Sequence, residues 1–294
     1  MTGPMAWTQP GAPAGSSPVA PVEVSLGRWF FGVAATASGV LQLVLADFVR
    51  LVPQPTVWAP APPALAYLVG VVLLGTGLAI VAGRVARTAA TVIGVMLLVV
   101  VLLYLPPMVV NPVVDRPFLR GFMWTNLLKA LALAGGAAML AGWLPDHRPT
   151  VPAPVRAFGR LAPLGAAFVA LFLVVCGLQH FVYSPFVTTL VPSWMPGRSF
   201  WTYLTGVALI AGGAGMLFRR TARLAATLSA VMIFLWVLML HIPRALAGPR
   251  HAHETAGVFE ALAMSGVALL VAGTAPRARS FGTSSSRGGS DIGS

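Results

Sequence analysis

The side chains able to do chemistry stand at the edges of long apolar runs. Gln179 and His180 end one run, His241 ends another, and Glu260 lies inside a third, while Gln42 and Lys129 hold comparable places in the first half. An imidazole or a carboxylate can take and return protons, and an amide can hold a small polar ligand. These six residues are the candidate ligand-binding set, with Glu260, His180 and His241 the candidates for catalysis.

Lys129 and Glu260 carry the sharpest expectation. A charge within a membrane helix costs a few kcal/mol on insertion scales, so it faces the bundle or a water-filled cavity and has a partner. Lys129-Ala-Leu-Ala and Glu260-Ala-Leu-Ala occupy matching places in the two halves, which suggests that the two charges approach each other. Such a pair either orients the halves as a buried salt bridge or borders an outward-facing pocket with Gln179, His180 and His241. In a third arrangement Lys129 snorkels to the interface and never meets Glu260. Plain readings stand beside the functional ones. Gln42 and Gln179 also serve as interhelical glue, His180 and His241 as wet interfacial imidazoles, and His251 and His253 as solvated loop residues.

Other chemistries are not encoded. Cys176 is the one cysteine, so no intrachain disulfide or CxxC exchange exists. The histidines and carboxylates have no recognised ligand spacing, and no metal is expected. Glycines fall inside apolar runs rather than in a phosphate loop, and no Ser, His and Asp arrangement points to nucleophilic attack.

The elements that position these residues follow from composition. The chain has 294 residues, 57% of them hydrophobic and only 9% charged, with a mean hydropathy of +0.84. That apolar share belongs to an integral membrane protein in contact with the bilayer. Runs of about 20 apolar residues span the hydrocarbon core as helices. Eight are expected, near 27–46, 64–83, 88–106, 121–142, 161–182, 200–218, 223–242 and 256–273. Their Leu, Val and Ala content lacks the alternation of barrel strands, so the fold class is all-α.

The formal charge of +12 does not indicate nucleic acid, because the basic residues are scattered between the runs rather than gathered in a stripe. Their distribution reports topology. With the N-terminus inside, the inner side holds about twice as many arginines as the outer, among them Arg84, Arg87, Arg219, Arg220 and Arg223. This bias predicts both termini in the cytoplasm. Residues 1–25 are rich in Pro, Gly and Ser and are expected to be disordered, as is the tail at 275–294. No basic, apolar and small-residue leader pattern opens the chain, and the first helix is expected to act as the insertion signal.

The chain also repeats itself. Gln42 stands where Gln179 stands, Arg84-Val-Ala-Arg-Thr-Ala-Ala-Thr echoes Arg220-Thr-Ala-Arg-Leu-Ala-Ala-Thr, and proline-rich outer loops follow both glutamines. The expected organisation is two four-helix units, at 26–143 and 161–274, joined by a proline-rich cytoplasmic linker at 144–160. An even number of crossings per unit orients both alike about an axis along the membrane normal.

The second unit carries GLQHF at the end of its first helix, FVTTLVPSWMPG in the outer loop, and FWTYLTGVALIAGG, RLAATLSAVM and FEALAMSGVALLVAG in the helices that follow. Across about residues 158–273 it resembles the DoxX-like family of bacterial membrane proteins, and the first unit resembles a diverged copy. The resemblance implies a four-helix membrane unit in the bacterial plasma membrane. It also implies an association with quinone-linked redox systems, with a quinone as ligand and redox proteins as partners. It supplies no catalytic residue set for Gln179, His180 or Glu260. Three functions follow as expectations: an accessory or quinone-interacting subunit of a membrane redox system, a small-solute transporter, and a non-catalytic membrane scaffold.

Overall fold

A computed structural model describes residues 20–49, 51–52, 62–110, 117–144, 150–248 and 252–276. Expectations for residues 1–19, for the loops at 53–61 and 111–116, for His251 and for the tail from 277 lie outside the described residues, and so does the side chain of His253. Every regular element among the described residues is helical.

Helix α1 (Val22–Leu45) starts inside the segment expected to be disordered and ends at Ala46, which adopts a left-handed conformation. Helix α2 (Pro63–Ala82) opens on a proline, whose missing N–H is not needed in the first turn, and closes on left-handed Gly83. Helices α3 (Ala86–Val110) and α4 (Pro117–Trp143) complete the first half. Helix α3 runs on through Pro106 and Pro107, beyond the expected stop.

The linker at 144–160 contains an element that its prolines concealed. Pro152 and Pro154 preset the first turn of helix α5 (Ala153–Gly159), which buries Val155 and Phe158. A 3₁₀ turn at Ala162–Leu164 leads into α6 (Gly165–Val182). The expected outer loop likewise begins with a short helix, α7 (Ser184–Leu190), started by Pro185. Helix α8 (Arg198–Met216) and helix α9 (Ala222–Trp236) follow. Helix α9 was expected to stop near His241. Instead a π turn (Val237–His241) joins it to α10 (Ile242–Ala247), because Pro243 lacks an N–H and its ring crowds the preceding turn. Helix α11 (Ala252–Thr274) ends the described chain.

Seven of these stretches are long and apolar enough to cross a membrane, and α8, where the eighth crossing was expected, does not meet the same measure of apolarity. Helices α4 and α11 form the centre: 78% and 72% of their most apolar windows are buried, against 28–50% for the other spans. They pack on each other, and α1 packs on both α2 and α11 while α6 packs on both α8 and α4.

Lipid offers no hydrophobic drive between helices, so close backbone approach has to hold them. Glycines provide it. A Cβ on Gly39 would lie 2.5 Å from the Leu74 nitrogen and 2.8 Å from the Gly70 carbonyl; one on Gly177 would lie 3.0 Å from the Ile210 nitrogen and 2.7 Å from the Gly206 carbonyl. The α1–α11 crossing sets Gly27 against Gly266, and the α6–α4 crossing sets Gly165 against Gly135.

Candidate functional site

Three helices bring polar side chains toward one end of the bundle: the first half of α4, the end of α6 and the first half of α11. Lys129 and Glu260 meet, with Nζ 3.2 Å from Oε1. Lys129 is 4% exposed and Glu260 23% exposed, so the ammonium is the deeper partner. Asn126, one turn earlier on α4, accepts a second hydrogen bond from Nζ at 3.0 Å. The Oε2 atom of Glu260 is buried and has no hydrogen-bond partner.

Helix α6 adds two functional groups on adjacent faces. Gln179 turns toward α4, where Thr125 donates its hydroxyl hydrogen to Oε1 at 2.7 Å. His180 turns toward α8: its Cβ would lie 3.0 Å from a Cβ on Gly206. Its Nδ1 is 2.7 Å from the Cys176 carbonyl oxygen. A carbonyl only accepts, so Nδ1 carries the proton, and in the neutral ring the lone pair is on Nε2.

The remaining candidates lie elsewhere. Gln42 is fully buried on α1 and donates from Nε2 to the Ala66 carbonyl of α2 at 2.9 Å, while its Oε1 has no hydrogen-bond partner. His241 ends the π turn, which packs against α10 and α11. Arg244 makes a two-pronged contact with Glu254 at 3.0 and 2.8 Å, closing α10 onto the first turn of α11. No group of three His, Cys, Asp or Glu residues fit for a metal exists among the described residues. Sequence reading missed Thr125 and Asn126, whose partners lie on other turns and other helices. Their spacing to Lys129, one helical turn, was the available signal.

Chemically, this end of the bundle offers a cation, a carboxylate with one spare oxygen, an anchored amide and an oriented imidazole. Beside them Leu178, Phe181 and Val182 lie on the outer surface of the bundle.

Two family models match the chain. Residues 24–105 match the DoxX family model. Residues 169–263 match a model described as Domain of unknown function (DUF8561). The DoxX match therefore falls on the half expected to be the diverged copy, and the polar site spans α4 and the DUF8561 stretch. No protein of curated function and no solved structure matches the chain.

Proposed function

We propose, with the DoxX-family segment at residues 24–105 as the premise, that the protein is a quinone-interacting component of a membrane redox system. One observation carries this reading: Gln179, anchored by Thr125 one turn from the paired Lys129, and His180, tethered at Nδ1, end α6 next to an apolar outer surface. A quinone headgroup needs hydrogen-bonding groups at its ring oxygens and an apolar track for its tail. The Nε2 lone pair of His180 accepts a hydrogen bond, and then a proton, from a quinol hydroxyl. Leu178, Phe181 and Val182 border the tail. A bound quinone would supply two-electron, two-proton chemistry, and the chain's own contribution is to hold the ring and move the proton.

The binding test is a titration of purified protein with a short-chain quinone. His180→Leu is expected to weaken binding at least about tenfold, the scale of one lost hydrogen bond to a charged or charging group. Equal affinity in a variant with unchanged melting would refute the assignment.

The same reading places the protein in a bacterial plasma membrane with both termini cytoplasmic and redox proteins as partners. It also keeps the two-unit organisation, with a boundary at 144–160. Matching contacts support the repeat. Gly32, Thr36, Gly39 and Leu43 of α1 meet α2 as Ala170, Val174, Gly177 and Phe181 of α6 meet α8. Gly136 meets Val267, and Lys129 meets Glu260, so residues at equivalent places on α4 and α11 touch each other as an axis between those helices requires. A purely structural role for the ion pair is the second reading, favoured by the satisfaction of Lys129 from both Asn126 and Glu260.

A further inference from the structure

Two arginines at matching places in the two halves have different partners. Arg87 opens α3 and Arg223 opens α9, each inside one of the echoed runs that begin at Arg84 and Arg220. The packing beside them matches as well. Gly135 and Gly142 of α4 meet Gly165 and Ala162, as Gly266 and Gly273 of α11 meet Gly27 and Val24. One interval carries both α4 glycines onto the α11 pair, and a second carries Val24 and Gly27 onto Ala162 and Gly165. The equivalence of the two corners rests on the two-unit reading above.

At the α9 corner the charge is balanced. Arg223 pairs with Glu23, whose Cβ lies 3.2 Å from the place of a Cβ on Gly273. At the α3 corner no carboxylate pairs with Arg84, Arg87 or Arg160 among the described residues. Arg87 donates from Nε to the Ala141 carbonyl at 2.6 Å, which fixes its guanidinium at the end of α4. A Cβ on Gly159 would lie 3.3 Å from the Ala141 carbonyl carbon and 3.0 Å from the Gly142 Cα. The chain that continues into exposed Arg160 therefore passes beside the Arg87 head group. One corner joins a cation to a carboxylate, and the other gathers cations alone.

We infer that Arg87 and Arg160, with exposed Arg84 beside them, bind the phosphate of an anionic phospholipid at the end of the bundle opposite the Lys129–Glu260 pair. A guanidinium meets phosphate through two parallel N–H bonds, and the terminal nitrogens of Arg87 have no partner among the described residues. The phosphate takes the place that Glu23 takes at the other corner. A lipid fits better than a soluble anion because Arg87 lies in the first turn of a spanning helix, with Val85 and Leu164 exposed nearby as apolar surface for acyl chains. The site stands whether or not a quinone binds at His180.

The test is native mass spectrometry of the full chain in micelles holding equal amounts of phosphatidylglycerol and phosphatidylcholine. The wild type is expected to retain phosphatidylglycerol preferentially. Arg160→Glu, which gives Arg87 a carboxylate as Arg223 has one, is expected to reduce that preference at least about fivefold with melting unchanged. Arg220→Glu makes the same charge change at the exposed turn before α9 and is expected to keep the preference. No preference in the wild type overturns the inference, as does an equal loss in both variants, which would mean a general attraction to basic surface. A preference that emerges only in Asp146→Asn would assign the corner to the chain's own carboxylate, and stabilisation by inorganic phosphate equal to that by the lipid would assign it to a free anion; either result overturns the lipid site.

Discussion

Lys129 and Glu260 dominate at the scale of single residues. Removing one member of a buried pair strands the other charge, which is worth about 3–5 kcal/mol. Lys129→Met is therefore expected to lower unfolding stability by about 3 kcal/mol in a denaturant titration. The double exchange Lys129→Glu with Glu260→Lys should recover more than half of that loss; recovery of nothing would mean that the contact at 3.2 Å is incidental. Thr125→Val deletes the donor to Gln179 Oε1 and should lower stability by about 1 kcal/mol. An unchanged melting profile would show that Gln179 finds another donor. Lys129, Glu260 and Gln179 were readable in the sequence because polar groups are rare within apolar runs. Thr125 and Asn126 were not, since a threonine and an asparagine near a helix start are ordinary, and only the register of α4 against α6 and α11 gives them a role.

Among elements, the glycine crossings set which helices meet. Val at Gly39 or Gly177 would drive Cβ into backbone atoms of α2 or α8, and strain of this kind is worth about 1–3 kcal/mol. Gly75 has open space where its Cβ would go, so Gly75→Val should leave melting in detergent nearly unchanged. If all three variants melted alike, backbone approach would not be what holds the bundle. Helix positions were readable from length and apolarity. The π turn at Val237–His241 was not, because Pro243 reads equally as the end of a helix or as a distortion passed through. Helices α5 and α7 were hidden for the same reason: a proline in the first turn looks like a loop signal.

At the scale of the molecule, the halves are cross-braced. Helix α1 packs on α11 and α6 on α4, so each half's first helix lies against the other half's last helix. Arg223 of α9 also pairs with Glu23 at the start of α1. Coexpression of the chain cut between residues 146 and 147 should yield two fragments that copurify, while either fragment alone should fail to give a stable, monodisperse species. A first-half fragment stable by itself would contradict cross-bracing. Hydropathy showed where helices run, but a lipid-facing and a helix-facing valine look alike in sequence, so the partners of each helix had to come from packing. The most direct measurement is mass spectrometry of small molecules retained by the gently solubilised protein, wild type beside His180→Leu and Glu260→Gln. A quinone kept by the wild type and lost from the still-folded His180→Leu variant is the predicted result. A wild type drawn from quinone-rich membranes that retains none, or a variant that retains as much as the wild type, would contradict the quinone site.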